Sequence, residues 1–353
     1  MNQVPEPHAD REPTGLSALT DLASRSLGGS VVAANDDLFA DRRNLITSGP
    51  PVWHPDAYGP SGKTYDGWET RRRRAEGAGG DGTGPECDFA IVRLGAAGVV
   101  RHVVVDTAFF RGNYPPYASV EAVAVDGYPA VAELLAAEWA PLLAKSPLRG
   151  DTANGFDVDD PRRWTHVRLS IYPDGGVARL RVLGDVVPDP RLLTGTIDLA
   201  ALENGGAVVG CSDMFYASAA NLIRPGTPRT TGEGWENARR RSGGNDWVLF
   251  RLAGAGRPRR VVVDTTHFVG NAPAGARVLG IHSPAARPAA EEPGWVELLP
   301  RARLQPDTRH VFPVAAGPPV THARLDVYPD GGLGRFHVWG ELETADMPGD
   351  TRP

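Results

Sequence analysis

Thr165-His-Val-Arg-Leu-Ser-Ile-Tyr-Pro-Asp-Gly-Gly176 returns as Thr321-His-Ala-Arg-Leu-Asp-Val-Tyr-Pro-Asp-Gly-Gly332, with nine of twelve positions identical. Working outward, three further blocks recur in the same order. Gly28-Gly-Ser-Val-Val32 through Asn44-Leu-Ile46 matches Gly206 and its flanks through Asn221-Leu-Ile223; Gly67-Trp-Glu69 matches Gly234-Trp-Glu236; Arg101-His-Val-Val-Val-Asp-Thr107 matches Arg259-Arg-Val-Val-Val-Asp-Thr265. The chain is a tandem duplication. A period of about 160 residues is a whole domain, since solenoid and propeller units run roughly 20 to 50.

The strongest local pattern inside each copy has period two. Val167, Leu169 and Ile171 alternate with His166, Arg168 and Ser170, and beyond the turn Ala178, Leu180 and Val182 alternate with Arg179, Arg181 and Leu183. The expectation is a hairpin with a dry face and a wet face, the histidine lying on the wet one. Tyr172-Pro-Asp-Gly-Gly176 supplies turn chemistry: proline presets φ, aspartate bonds the local backbone, and glycine accepts a positive φ. Val103-Val-Val105 and Val261-Val-Val263 suit strands buried on both sides. Glycine and proline punctuate the rest, so each copy reads as an all-β sandwich. One helix is expected over 129–144, opened by Pro129 and carrying Leu134, Leu135 and Trp139 at helical spacing. The divisions expected are a polar tail over 1–15, repeat one over 16–186, a proline-broken linker over 187–195, repeat two over 196–345 and a second tail over 346–353.

The 353 residues, 41% of them hydrophobic, are enough for two ordinary cores. A net charge of −6 argues against nucleic acid or an anionic membrane as main partner. Cys87 and Cys211 occupy non-equivalent places in the two copies, which suits a reducing compartment, and the expected location is the cytoplasm. No segment approaches the ~20 apolar residues a membrane helix needs.

Several motifs tempt and fail. Ala57-Tyr-Gly-Pro-Ser-Gly-Lys-Thr64 has phosphate-loop spacing, but Pro50-Pro-Val-Trp-His-Pro55 precedes it where a buried strand is required, and Asp66-Gly67 follows where a helix should start. Gly77-Ala-Gly79-Gly-Asp-Gly82 has dinucleotide-fingerprint spacing inside a glycine-rich insertion with no counterpart in repeat two, and reads as a loop. The nine histidines make no metal motif, and neither cysteine has a repeated neighbour to act as its base. A dispersed divalent-metal site is left open, as is symmetric assembly into a homo-oligomer. Arg71-Arg-Arg-Arg74 and Arg239-Arg-Arg241 lack the interleaved aromatics of a nucleic-acid platform.

Taken together, the repeated blocks resemble the allantoicase (allantoate amidinohydrolase) family. The resemblance is carried by Asn44-Leu-Ile46, Asp66-Gly-Trp-Glu-Thr-Arg71, Asp106-Thr-Ala-Phe-Phe-Arg-Gly-Asn113, Thr165-His166, Tyr172-Pro-Asp-Gly-Gly176 and their second-copy partners, including Asp264-Thr-Thr-His-Phe-Val-Gly-Asn271. It covers residues 21–341, with Asn237 departing from Thr70. It implies two jelly-roll, galactose-binding-like sandwiches and hydrolysis of allantoate to ureidoglycolate and urea.

That chemistry needs a cation for the substrate carboxylate, acceptors for ureido N–H groups and an acid for departing urea. Arg72 and Arg239 are the first choices for the cation, with Arg168 and Arg324 next. Glu69 and Glu236, or Asp36 and Asp213, are the acceptors, and Asn113 and Asn271 complete the binding set. Asp106 and Asp264 open polar loops and read equally as catalytic groups or turn caps. His166 and His322 are further catalytic candidates. His267 stands where repeat one has Phe109, so the acid is expected in repeat two or between the repeats. The alternative class is a non-catalytic sandwich that binds a sugar or small polar ligand, or a paralogue acting on a related ureido compound.

Overall fold

A computed structural model describes residues 19–60, 62–73 and 86–343. Two compact units emerge, Leu19–Val187 and the chain from Pro188 onward. The expected tails and the glycine-rich stretch 77–84 lie outside the described residues.

Each unit is an antiparallel β-sandwich organised around one long strand. In repeat one this is Asp88–Asp106 and in repeat two Asp246–Asp264, nineteen residues each. Residues 88–93 pair with Arg163–Tyr172 on one side and Ser30–Ala34 on the other. Residues 102–106 pair instead with Arg179–Val186 and Ala153–Asp157. One strand therefore serves both layers. Gly98 sits where it passes between them, and a Cβ there would lie 2.1 Å from the carbonyl oxygen of Asp185, so only glycine allows the approach. The sheet runs Thr20–Asp21, Arg179–Val186, Asp88–Asp106, Arg163–Tyr172, Tyr117–Val123, Ala140–Pro147. Repeat two reproduces that order with Ile197–Asp198, Arg335–Leu342, Asp246–Asp264, Val320–Tyr328, Gly275–Ile281 and Val296–Arg303.

The expected hairpin is corrected by this pairing. Arg163–Tyr172 and Arg179–Val186 do not pair with each other; each pairs with the long strand, the two meeting it together only at Gly98 and Val99, so Tyr172-Pro-Asp-Gly-Gly176 is an arch between them. The expected wet face is corrected too. His166 and His322 are 1% and 3% exposed, and Ser170 is buried. A satellite cluster covers that face in repeat one, with Ile91, Val123 and Leu134 backed by Trp139, while Arg168 lies 4.8 Å over the Trp139 ring. The periodicity was real, but both faces are covered.

The helix expected over 129–144 is shorter, Val131–Ala136, and is followed by the strand Ala140–Pro147. Pro141 cannot donate to a helical ladder, and Leu143 finds Val120 across the sheet, so tertiary pairing overrides local propensity. The valine runs sit as expected in the second copy, where Val261, Val262 and Val263 are all buried; in the first, Val104 is half-buried. The phosphate-loop spacing falls on a two-stranded turn in which Tyr58 pairs with Lys63, with no helix after it.

Two tryptophans anchor the loops at one end of each sandwich. Trp68 and Trp235 are fully buried, and their indole N–H groups donate to the backbone oxygens of Asp36 and Asp213, each at 2.7 Å. Removing either would leave both a large cavity and an orphaned carbonyl.

Candidate functional site

The Gly-Trp-Glu segment is stitched into the fold from two sides. Glu69 exchanges backbone hydrogen bonds with Ala40 at 3.2 Å and is in register with Gly176 on its other side. Glu236 is held to Ala217 in the same way. Gly176 must be glycine, because a Cβ would fall 2.0 Å from Cε1 of the buried Phe110, and the Gly332–Phe268 pair repeats the contact at 1.9 Å. The Gly176 N–H donates to the carbonyl of Asn113 at 2.7 Å and the Gly332 N–H to that of Asn271 at 2.8 Å. The arch thus fixes each asparagine beside its glutamate: Asn113 Nδ2 donates to Glu69 Oε1 at 2.8 Å, and Asn271 Nδ2 to Glu236 Oε1 at 2.7 Å.

The arginine run after the glutamate alternates in role. The Arg240 backbone N–H donates to Asp330 Oδ2 at 2.5 Å, and its guanidinium turns inward onto the fully buried Asp246. Arg73 repeats this, with its N–H on Asp174 at 2.6 Å and its side chain on Asp88. With the middle arginine locked into the body, its neighbours Arg239 and Arg241 project into a cavity of about 420 Å³ that also holds Glu236, Asn271, Asn237 and Asp330. Two exposed cations facing a carboxylate–amide pair suit an anion that also carries N–H donors.

In repeat one, burial raises the Glu69 carboxyl above the ordinary range, and the hydrogen bond from Asn113 and the positive field of Arg72 pull it part of the way back. The adjoining cavity, about 290 Å³, has different walls: Trp53, Tyr65 and Phe109, with Arg111, Gly112 and Asn113. Arg111 is paired with Asp151 at 2.9 Å.

Of the residues expected from sequence, the structure brings Glu69, Arg72 and Asn113 together, and likewise Glu236, Arg239 and Asn271. The others are engaged elsewhere. Arg168 is bound by Glu121 at 2.6 Å, and Arg324 pairs with Asp326 at 2.8 Å while lying over Trp247. Asp36 pairs with Arg71; Asp213 is fully buried and accepts the Ala238 N–H at 2.5 Å. Asp106 accepts the Ala108 N–H and Asp264 the Thr266 N–H, each at 2.8 Å, which is the turn-capping one of the two expected roles. His166 and His322 are bonded through Nδ1 to Thr165 and Thr321 at 2.9 Å. Burial, then the charge of Arg93, lowers the His166 pKa to about 4, so it is neutral near pH 7. His267 does not line the repeat-two cavity; its Nε2 is 2.9 Å from the carbonyl oxygen of Pro228. Among the described residues no group of three or more His, Cys, Asp or Glu side chains is arranged to hold a metal ion.

Three features escaped the sequence reading. Asn237 is 5% exposed; its Oδ1 accepts the Gly331 N–H at 2.9 Å, while Nδ2 has no partner among the described residues. Thr70, its counterpart, satisfies itself with Gly175. Asp330 belongs to the repeated turn and was legible only as turn chemistry. Trp53 and Tyr65 lie in a loop present in one copy, so repetition does not flag them.

The allantoicase repeat model matches residues 20–187 and again 197–343. A probable allantoicase of Nocardia farcinica is 53% identical over 341 residues, covering 96% of this chain and 99% of its own. The allantoicase of Dictyostelium discoideum is 40% identical, covering 92% and 88% of the two chains. The crystal structure of allantoicase from Saccharomyces cerevisiae superposes with a TM-score of 0.74 at 33% identity, over 91% of this chain and 93% of that one. With both repeats matched in order and the sandwich topology shared along nearly its whole length, this chain belongs to the allantoicase family.

Proposed function

We propose that the protein hydrolyses allantoate to ureidoglycolate and urea, using the glutamate–asparagine–arginine set that the duplication preserved. The observation that carries this reading is the pairing of Glu69 with Asn113 and of Glu236 with Asn271 within 2.8 Å, each beside an arginine that the sequence marks as equivalent.

Allantoate has a central carbon bearing one carboxylate and two planar ureido arms. The exposed guanidinium of Arg72 or Arg239 holds the carboxylate, and the second glutamate oxygen faces a ureido nitrogen. A protonated glutamic acid gives its proton to the nitrogen of the departing arm as the C–N bond breaks, and urea leaves. The electron pair of the remaining ureido nitrogen supports the cationic carbon. Water then adds to that carbon and returns a proton to the glutamate, restoring the acid and giving ureidoglycolate. Glu69 suits the acid role because its burial favours the protonated form. Asn113 keeps the carboxyl oriented in both protonation states.

We also propose a cytoplasmic location, because Cys87 and Cys211 stand at non-equivalent places in the two copies, a pattern that suits a reducing compartment. The test of function is direct. The purified chain is incubated with allantoate, and urea and ureidoglycolate are measured in equal amounts; binding without release of either product would reduce the protein to a ligand-binding sandwich.

A further inference from the structure

Between the shared blocks Asn-Leu-Ile and Gly-Trp-Glu, repeat one carries residues 47–66 and repeat two only 224–233, a difference of ten residues. The longer loop bears Trp53, Tyr58, Lys63 and Tyr65. Lys63 fastens it, donating to the carbonyl of His54 at 2.7 Å and lying 4.5 Å over Trp53 and 4.7 Å over Tyr58. Trp53 stays 45% exposed, with its ring 5.5 Å from Phe109 and 5.9 Å from Tyr65. Phe109 is held at φ +70°, a conformation costly for a bulky residue, by its N–H on Asp151 at 2.7 Å. The equivalent His267 has the same backbone, φ +73°, yet its ring bonds Pro228 and has no aromatic loop to meet. In repeat one alone, therefore, a strained backbone and an added loop build an aromatic hollow.

That hollow is linked to the reacting group through Asn113. Asn113 lines it and at the same time donates to Glu69, whereas Glu69 does not line it. Resting on the function proposed above, we infer that the hollow of Trp53, Tyr65 and Phe109 is the subsite for the planar ureido arm that stays in the product. The departing arm must reach Glu69, and so lies on the other side of Asn113. A flat ureido group presents a π-face to the indole and phenyl rings, while Asn113 is at hand for its polar edge.

The experiment uses the full chain and N-carbamoylglycine, which has one ureido arm and one carboxylate but no arm to lose. Titration quenches the emission of Trp53, isolated as the difference between wild type and Trp53→Phe. Trp53→Ala, which lacks the reporting indole and is titrated by calorimetry, weakens binding of the probe, and raises KM for allantoate, by about five- to tenfold, with kcat changed less than about twofold. Trp53 is 45% exposed, and equal melting temperatures of wild type and Trp53→Ala check that the fold is kept. Unchanged affinity and KM in Trp53→Ala, with wild type releasing urea, would overturn the inference and leave the function standing. A wild type that releases no urea removes the function, and the probe then decides the hollow separately: quenching lost in Trp53→Phe supports a ureido subsite, and no quenching in wild type overturns it.

Discussion

Glu69→Gln is the sharpest test of the chemistry. Glutamine has the shape of a protonated glutamic acid and still offers an acceptor to Asn113 Nδ2, but its amide cannot surrender a proton. A positioned general acid is worth about 10²- to 10⁴-fold, so kcat falls by that factor, equivalent to roughly 3 to 5 kcal/mol of barrier, while KM moves little. The pH profile adds a sign. Burial raises Glu69, and Asn113 and then Arg72 oppose it. Activity that needs the protonated form is full below this raised pKa and declines as pH climbs through it. Asn113→Ala takes away a stabiliser of the carboxylate, so the declining limb moves to higher pH; Arg72→Ala moves it the same way. Initial rates of urea release between about pH 4 and 9 give both readouts. If Glu69→Gln keeps more than about a tenth of wild-type kcat, or if neither partner variant moves the limb, Glu69 is not the acid. Glu236→Gln, measured alongside, reports what the second copy contributes.

The remaining expectations concern stability. His166 is neutral in the fold, with its pKa lowered to about 4 from 6.5, so its contribution is complete above pH 6.5 and is lost as pH falls toward 4. The loss reaches about 3 kcal/mol by linkage; urea-unfolding midpoints across that window should steepen in wild type and flatten in His166→Gln, and equal slopes would contradict the assignment. Asn237→Thr keeps an acceptor for the Gly331 N–H and should change stability by less than about 1 kcal/mol, whereas Asn237→Leu orphans that N–H and should cost about 1 to 3. Gly176→Ala and Gly332→Ala force a methyl into Phe110 and Phe268; each should lower thermal stability by about 2 kcal/mol or more, and a neutral result would mean the arch yields freely.

The duplication was legible because two copies of one sandwich keep the same turn and loop chemistry where the backbone demands it. Gly176 and Gly332 recur because each lies against a phenyl ring, and Trp68 and Trp235 because each fills a core and holds a carbonyl. Pairing partners were less legible. Period-two alternation reports that a segment is a strand, but not which strand it meets, so two consecutive strands joined by a good turn read as a hairpin although each pairs with one long strand and not with the other. Burial of the expected wet face was hidden for a related reason, since Leu134 and Trp139 meet Ile91 and Val123 only in space.

Recurrence also marks residues that hold the scaffold. Asp106 and Asp264 repeat because both cap the same turn, and Arg168 and Arg324 repeat although each is tied up by a carboxylate of its own copy. What repetition cannot reveal is divergence after duplication. Position 109 against 267, position 70 against 237, and the loop 47–66 against 224–233 are the places where one frame holds different walls: an aromatic hollow beside a half-buried carboxyl in repeat one, and an open polar cavity with two exposed arginines in repeat two. Since the glutamate–asparagine pair is constant and its surroundings are not, the two sites should differ in ligand affinity and pH response more than in the identity of their reacting groups. Single-copy inactivation by Glu69→Gln and Glu236→Gln, followed by pH profiles of whatever activity survives, separates them; superimposable profiles would mean that the walls do not matter.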